Sequence, residues 1–242
     1  MEKFDFRDLN IVYEDNHVIV VVKPQNLPTC GDETGDDNLL DLLKEYIKDK
    51  YNKPGEVYLG LLHRLDRPTG GVMVFARTSK AASRLSENIR NGELEKRYLA
   101  VTVGAPRDKK GILRNGLIKD EKRNMVTVVP MHMEGAKQAI LEYKIVDQKD
   151  GNPKVALFDI NLVTGRSHQA RVQLNTIGCP IFGDYRYAPS KSPRGYNLAL
   201  WAYELRFPHP VTKEMMVFRV NPPLDETPWN IFDIATKLSI IK

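Results

Sequence analysis

The chain has 242 residues, of which 42% are hydrophobic and 28% are charged, and this composition is typical of a folded globular protein. Residues 1–16 are charged throughout and lack the apolar stretch of a signal peptide, while the apolar run at residues 18–22 is too short to cross a bilayer. We therefore expect a cytoplasmic protein without a membrane partner. Cys30 and Cys179 lie far apart, without CxxC or Cys/His ligand spacing, so we expect packing residues rather than a zinc site or a disulfide framework.

The net charge is +5, but it is unevenly distributed along the chain. Residues 1–60 hold 7 Lys/Arg against 13 Asp/Glu, whereas residues 77–123 hold 13 against 6. The basic residues alternate with short apolar segments, as they do in a folded surface that meets a polyanion such as nucleic acid. A solvated face without a partner would have the same composition, so charge alone leaves both interpretations open.

The hydrophobic pattern predicts the first elements in chain order. Residues 10–24 predict two short strands around an Asp15–Asn16 turn. Residues 37–51 predict a helix capped by Asp37, because apolar side chains recur at helical spacing at Leu39, Leu43, Tyr46 and Ile47. The apolar runs within residues 61–75 are typical of strands on either side of a charged cluster, and residues 79–92 predict a helix that ends at Asn91–Gly92.

From Leu94 onward the pattern is rich in strands. Short helices are expected only within residues 167–178 and 228–238. The predicted strands are residues 98–104, 111–118, 124–130, 138–146, 155–163, 198–207 and 215–220. These elements predict an α+β fold with a mixed, mostly antiparallel central sheet and flanking helices and loops. Because no repeat or linker is evident, we expect a single catalytic domain over residues 1–242.

Common catalytic motifs are missing from the sequence. It contains no GxxxxGK[ST], GxGxxG, GxSxG or HExxH, which argues against phosphate-loop, dinucleotide, serine-hydrolase and zinc-protease chemistry. Carboxylate and guanidinium groups are instead concentrated in HRLDR (residues 63–67) and TGRSHQARVQL (residues 164–174). If Arg166 folded back onto Asp66, a bidentate contact would keep that carboxylate ionised and oriented, as a nucleophile requires.

Several long segments resemble one family. HRLDRPTGGVMVFART (residues 63–78) resembles the catalytic motif HRLDxxTSGxxxxAKT of the RluA-type pseudouridine synthases. The resemblance extends in the same order from Ile11 to Pro222. It includes VVKPQNLPT (residues 21–29), EKRYLAVTVG (residues 95–104), TGRSHQARVQLNTIGCPIFGDYRY (residues 164–187) and LALWAYELRFPHP (residues 198–210).

The resemblance implies an isomerase that detaches uracil from its sugar in RNA, rotates it and rejoins it through carbon 5, without metal or cofactor. By this resemblance Asp66 is the nucleophile, attacking either the sugar or the uracil ring. Tyr98 would stack on the base and assist in removing the carbon 5 proton. Arg166 would pair with Asp66, and Leu200 would line the uracil pocket. The target nucleotide would be flipped out of its helix, with Arg64 filling the vacated space.

Each of these roles has a structural alternative. Asp66 could be a turn residue paired with a neighbouring arginine, a contact worth less than about 1 kcal/mol at a surface. Tyr98 alternates with apolar residues and could be part of the sheet packing. His63 and His168 are expected to form hydrogen bonds within the fold rather than to take part in catalysis.

Four further residues are candidate RNA contacts, namely Arg67, Lys109, Lys110 and Arg171. For Arg171 the alternative is an acidic neighbour within the protein. Three residues depart from the family pattern, since Gly70 replaces a usual Ser, and Gln173 and Trp201 each replace a common His.

About ten residues precede Ile11, so the chain resembles the short members of the family that have no separate N-terminal RNA-binding domain. We expect a monomer that binds ribosomal or transfer RNA through its catalytic domain. Two other functions stay open: a catalytically idle RNA-binding or ribosome-assembly protein on the same fold, and an N-glycoside hydrolase that cleaves without rejoining.

Overall fold

The computed structural model describes residues 4–240. Its strands are β1 (Asn10–Glu14), β2 (Val18–Lys23), β3 (Gly60–Leu61), β4 (Gly70–Ala76), β5 (Glu95–Val103), β6 (Lys110–Asp120), β7 (Met125–Val129), β8 (Lys137–Lys149), β9 (Val155–Leu162), β10 (Leu200–Pro208) and β11 (Met215–Arg219). Its α-helices are α1 (Leu39–Lys50), α2 (Ser79–Arg90), α3 (Gln169–Thr176) and α4 (Ile234–Ile240), and single 3-10 turns cover Phe6–Asp8 and Trp229–Ile231. Within residues 4–240 none of these helices has the length and apolar character needed to span a membrane.

The chain divides into two compact units. The first contains the described residues up to Lys96 together with Ala202–Val220, and the second contains Arg97–Trp201 and the described residues from Asn221 onward. Strands of the first unit follow the order β1-β2-β4-β10-β11, with β3 also beside β4 and with β10 belonging to this unit from Ala202 onward, and those of the second follow β5-β9-β8-β6-β7. The pairings β1–β2, β2–β4, β3–β4 and β10–β11, and all four pairings in the second unit, are antiparallel. The predicted α+β fold is confirmed, while a single catalytic domain stays a prediction.

In the first unit, β2 and β4 form the buried centre of the sheet. Every residue of β4 is buried, and Val20 of β2 lies opposite Val74. Helix α2 packs Ala81 and Leu85 into one apolar cluster with side chains of these two strands, including Val20 and Val74. Because burial on both faces requires continuous apolar runs, these two strands lack the alternating pattern of a half-exposed sheet. The loop that precedes β4 therefore ends at a strand that is buried along its whole length.

Helix α1 begins one residue later than predicted, because Asn38 caps it instead of Asp37. The Asn38 backbone is extended, and its Oδ1 accepts a hydrogen bond from the amide of Asp41 at 3.1 Å. Asp and Asn are about equally good N-caps, so the sequence could not separate two neighbouring candidates. Helix α2 begins at Ser79 as predicted, and the Thr78 side chain caps it.

In the second unit, the helix predicted over residues 228–238 is wrong as one continuous element. A 3-10 turn at Trp229–Ile231 is followed by an extended residue, Phe232, and only then by α4. Trp229, Phe232 and Ile234 are all buried. In a continuous helix, Ile234 would point away from Trp229 and Phe232. The three side chains can therefore all be buried only because the helix is interrupted.

Gly71 on β4 allows the backbone of Ala202 on β10 to come close, and substitution of this glycine tests how tightly the two strands pack. Its φ is +127°, and an added Cβ would lie 2.3 Å from the carbonyl oxygen of Ala202. We predict that Gly71→Ala lowers the free energy of unfolding by about 2–5 kcal/mol, through backbone strain and steric overlap. Urea denaturation measures this quantity.

The matched control is Gly35→Ala, which also has a positive φ, +70°, but open space around the added Cβ. It should cost no more than about 2 kcal/mol. Equal losses in the two variants would show that the approach of Ala202 does not constrain position 71.

Candidate active site

Asp66 lies in the loop between β3 and β4, within the first unit. Its side chain is half-buried, whereas Arg64 is exposed. The amide of Thr69 donates to the carbonyl of Asp66 at 2.9 Å and closes a tight turn just before β4. The turn connects Asp66 directly to the buried strand.

Three side chains, that of Lys23 at the end of β2 and those of Gln25 and Thr29 in the segment after it, hold the carbonyls that flank Asp66. We call these three side chains the loop clamp. Its hydrogen bonds run from Lys23 Nζ to the Arg67 carbonyl at 3.0 Å, from Gln25 Nε2 to the Pro68 carbonyl at 3.0 Å, and from Thr29 Oγ1 to the Leu65 carbonyl at 2.9 Å. Because the clamp binds backbone atoms on both sides of Asp66, it fixes the backbone from which this carboxylate projects.

Lys23 is fully buried, which is unusual for a lysine. Burial lowers the pKa of Lys23 to about 7, while the negative charge of Asp66 raises it and the positive charge of Arg67 lowers it further. Lys23 and Asp66 therefore interact electrostatically within the first unit.

Arg67 forms polar contacts inside the protein. Its guanidinium is 2.6 Å from an Asp36 carboxylate oxygen, and its Nε donates to the Asn26 carbonyl at 3.1 Å. These contacts tie the Asp66 loop to the segment before α1. Its role as an RNA contact stays a prediction.

His63 forms a hydrogen bond within the fold, as predicted from the sequence. Its Nε2 accepts from the amide of Val74 at 3.3 Å. Burial holds the pKa of His63 well below its usual value, and the nearby charge of Lys96 contributes in the same direction. The imidazole is therefore neutral at physiological pH. Its hydrogen bond connects the start of the HRLDR segment (residues 63–67) to β4.

Tyr98 and Leu200 belong to the second unit, and both are buried. Tyr98 lies on β5 opposite Ile160 of β9, and it is 5% exposed. Leu200 is the first residue of β10 and has the same exposure, 5%. Their roles as base platform and pocket wall stay predictions.

Arg166 lies in the exposed loop before α3, also in the second unit. Its Nε donates to the carbonyl of Gln138 at 3.0 Å, and its amide donates to Gln169 Oε1 at 3.0 Å. The same Gln169 oxygen accepts from Thr164 Oγ1 at 2.9 Å, so one side chain holds both ends of the Arg166 loop. The pairing of Arg166 with Asp66 stays a prediction.

Arg171 is buried and bound to an acidic neighbour. Its Nε and a terminal nitrogen lie 2.8 and 2.6 Å from the two carboxylate oxygens of Asp184. The two side chains are only 6% and 1% exposed. This geometry favours the acidic-neighbour alternative, and an RNA contact by Arg171 stays a prediction that would have to use very little exposed surface.

The three departures from the family pattern lie at buried positions. Gln173 of α3 is fully buried, and its Nε2 donates to Asn115 Oδ1 at 2.8 Å and to the Leu113 carbonyl at 3.2 Å. This residue therefore fastens α3 to β6 in the second unit. Trp201 lies buried on β10, and Gly70 is the buried first residue of β4.

Lys109 and Lys110 are exposed where β6 begins. On β6, Lys110 lies opposite Lys144 of β8, and Arg114 is exposed on the same side of β6 as Lys110. Like charges opposite each other destabilise a sheet in the free protein. The basic side chains of this face are therefore grouped where β6 begins, with Glu142 of β8 beside them opposite Ile112.

The two cysteines are both free, as expected for packing residues. Cys179 is buried, and burial raises its pKa to about 11, which keeps the thiol protonated and unreactive. Across residues 4–240, no three side chains among His, Cys, Asp and Glu are grouped so as to hold a metal ion.

Comparison with known proteins identifies the family. The family model described as RNA pseudouridylate synthase matches residues 17–176, about two thirds of the chain. The chain belongs to the RNA pseudouridylate synthase family. Its members are isomerases, so the predicted RluA-type family and the predicted enzyme class are confirmed.

Individual relatives cover most of this synthase. An uncharacterised RNA pseudouridine synthase of Aquifex aeolicus is 33% identical over 229 residues, which cover 89% of this chain and 70% of the relative. The ribosomal large subunit pseudouridine synthase D of Haemophilus influenzae is 32% identical over 234 residues, covering 90% and 68%. The structure of human RNA pseudouridylate synthase domain containing 4 superposes with a TM-score of 0.73 at 26% identity and covers 88% of each chain.

The role of Arg171 as the partner of the buried Asp184 can be tested by substitution. We predict that Arg171→Leu lowers the free energy of unfolding by about 3–5 kcal/mol, because it leaves the Asp184 carboxylate buried without its partner. Urea denaturation measures the loss. The double variant Arg171→Leu/Asp184→Asn should recover part of it, because the uncompensated charge is gone.

RNA affinity of Arg171→Leu, measured below its unfolding temperature, should stay within about threefold of wild type, since the guanidinium serves Asp184. A large loss of RNA affinity with unchanged stability would instead assign Arg171 to the RNA.

Proposed function

We propose that this synthase isomerises one or more uridines of ribosomal RNA to pseudouridine, with Asp66 as the nucleophile. The family match supports the reaction class. The relative in Haemophilus influenzae carries a name that specifies the large ribosomal subunit, which favours ribosomal over transfer RNA. The observation that supports Asp66 is the loop clamp, which fixes the backbone on both sides of this one carboxylate.

The proposed reaction breaks the bond between the sugar and uracil nitrogen 1, and forms a bond between the sugar and uracil carbon 5. The proton on carbon 5 is lost, and nitrogen 1 gains one, so substrate and product have the same atoms. Asp66 forms a transient covalent bond either to the sugar or to the uracil ring, and both routes stay open. A backbone fixed in advance lowers the entropic cost of bringing the carboxylate to the substrate.

The target uridine is proposed to leave its stacked position before it reacts, because its reacting atoms are inaccessible inside a helix. Arg64 is exposed and lies two residues from Asp66, which suits a side chain that enters the vacated space. Tyr98 as base platform, Arg166 as partner of Asp66 and Leu200 as pocket wall belong to the same proposal.

RNA is proposed to contact the exposed basic residues at the start of β6. Lys109, Lys110 and Arg114 are exposed, and Lys110 lies opposite another lysine. Phosphate groups would neutralise this repulsion, and the release of their counterions would contribute to affinity. The monomeric state, the cytoplasmic location, the single-domain organisation and the independence of metal and cofactor also stay predictions.

The nucleophile is tested with Asp66→Asn, which keeps the side-chain shape and removes the charge. Total RNA from a strain lacking the gene is incubated with each protein, and pseudouridines are mapped by carbodiimide-blocked reverse transcription. We expect wild type to modify ribosomal RNA and Asp66→Asn to be more than about 10³-fold slower, as for the loss of a catalytic nucleophile. Filter binding should show that the variant still binds RNA.

Other outcomes of this experiment point elsewhere. Equal modification by both proteins would remove Asp66 from the mechanism, and modification confined to transfer RNA would change the substrate class. Release of free uracil would indicate an N-glycoside hydrolase. Binding without modification by wild type would favour the idle RNA-binding protein.

The basic residues are tested by charge reversal at Lys109 and Lys110. We predict that Lys109→Glu and Lys110→Glu weaken RNA binding and flatten the plot of log affinity against log salt, by about one unit for each phosphate that the variant no longer neutralises. Lys48→Glu, an exposed site on α1, is the control for net charge. Salt slopes equal to wild type at positions 109 and 110 would show that RNA binds elsewhere.

A further inference from the structure

The turn that carries Arg166 has a backbone conformation that its own residues disfavour. The amide of Gln169 donates to the Arg166 carbonyl at 3.2 Å and closes a four-residue turn. His168, the third residue of this turn, has a φ of +51° and a ψ of 17°, in the left-handed region that favours glycine. A turn of this shape with a histidine at that position persists only where surrounding contacts hold it.

Gln169 supplies contacts of this kind from the first position of α3. Its side chain is buried, its Oε1 accepts from the Arg166 amide at 3.0 Å and from Thr164 Oγ1 at 2.9 Å, and its Nε2 donates to the Ile140 carbonyl of β8 at 3.0 Å. Thr164 Oγ1 accepts in turn from the Ile140 amide at 2.8 Å. Ile140, Thr164 and Gln169 thus form a closed ring of hydrogen bonds, which we call the glutamine ring. The Arg166 amide is attached to this ring at Gln169 Oε1.

Both polar atoms of the Gln169 side chain are used around Arg166. A buried amide group is costly unless its polar atoms are hydrogen-bonded, and an apolar side chain of similar length would avoid that cost. Strand β8 also binds Arg166 directly, since the carbonyl of Gln138, two residues before Ile140, accepts from Arg166 Nε at 3.0 Å. The side chain of Arg166 is therefore fixed to β8 at Nε, and its backbone is fixed to β8 through Gln169.

We propose that Gln169 is a positioning residue for Arg166. The inference rests on the proposed function, in which Arg166 is the partner of Asp66. Gln169 fixes the backbone from which the guanidinium projects, so that this group is oriented before RNA binds. Without the glutamine ring the turn is able to leave its disfavoured conformation. The chemical step then slows, because the guanidinium has to be ordered in every cycle.

Gln173 offers a matched control, because it is the same residue type one turn further along α3. It is also fully buried, and its Nε2 donates to Asn115 Oδ1, to the Leu113 carbonyl and, at 3.3 Å, to the Ala139 carbonyl. Gln173→Met therefore removes buried hydrogen bonds of the same kind from the same helix and keeps every hydrogen bond of the glutamine ring. A purely structural role for Gln169 predicts that neither variant slows the reaction at a temperature where both are folded.

The experiment measures the rate of the chemical step and the RNA affinity separately. The substrate is total RNA labelled with tritium at uracil carbon 5, taken from a strain lacking the gene, and conversion to pseudouridine releases the tritium to water. Single-turnover rates are measured with saturating protein, affinity by filter binding, and thermal unfolding shows which variants are folded at the assay temperature. The proteins are wild type, Gln169→Met, Thr164→Val, Gln173→Met, Arg166→Met, Arg166→Met/Gln169→Met and Asp66→Asn.

We expect Gln169→Met to react about 10- to 100-fold more slowly than wild type, with an RNA affinity within about threefold of it. Thr164→Val removes one member of the glutamine ring and should slow the reaction less, while Gln173→Met should keep the wild-type rate. Arg166→Met should be at least as slow as Gln169→Met. Adding Gln169→Met to it should change the rate by less than about threefold, because the residue that Gln169 positions is already gone.

Four results would overturn the inference. In the first, Gln169→Met reacts as fast as Gln173→Met. In the second, Gln169→Met slows the Arg166→Met protein as much as it slows wild type. In the third, Arg166→Met keeps the wild-type rate. In the fourth, Gln169→Met is unfolded at the assay temperature and Thr164→Val is either unfolded as well or as fast as wild type, which would make the glutamine ring a requirement for folding alone.

Asp66→Asn separates these results from a failure of the proposed function. An inactive Asp66→Asn leaves Asp66 as the nucleophile, whatever Gln169 does. An Asp66→Asn protein as active as wild type would overturn the proposed function itself.

Discussion

The loop that carries Asp66 is held through its backbone, and the chemistry proposed for this synthase depends on that constraint. The carbonyls of Leu65, Arg67 and Pro68 accept hydrogen bonds from side chains at the end of β2 and in the segment after it, and the loop then enters the buried strand β4. Since β2 and β4 are paired along six residues, the donors and the acceptors are positioned by one rigid pair of strands. A nucleophile on a flexible loop would have to be ordered in every catalytic cycle, at a cost in conformational entropy.

Much of the fold could be predicted from the sequence because hydrophobic periodicity reports local structure. The strand pair around Asp15–Asn16, the start of α2 at Ser79 and the strands of the second unit all followed from it. The interruption between Trp229 and Ile234 could not, since it arises from the burial of three side chains in tertiary contacts. In the site, the motif indicated Asp66, but nothing in the local pattern distinguishes a buried Lys23 from a surface lysine. The partner of Arg171, 13 residues away at Asp184, was equally hidden.

The basic stretch over residues 77–123 shows why a count of charges cannot define a binding surface. A guanidinium nitrogen of Arg77 lies 2.9 Å from a carboxylate oxygen of Glu14, and the guanidinium of Arg84 donates to the Pro210 carbonyl at 2.8 Å. Arg97 forms an ion pair with the buried Asp159. These guanidinium groups hold the protein together. Lys109 and Lys110, from the same stretch, are exposed. The sequence distribution therefore combined residues that stabilise the fold with residues that are able to meet a polyanion, and only the structure separates them.

Gly71 has a consequence for sequence divergence within this fold. The backbone of Ala202 comes so near that a methyl group at position 71 would overlap it, and glycine alone among the twenty amino acids lacks that carbon atom. A single substitution at position 71 therefore costs stability for as long as β10 keeps its path beside β4. The two strands thus constrain each other, because another residue at this position would be accommodated without that cost only if β10 moved away.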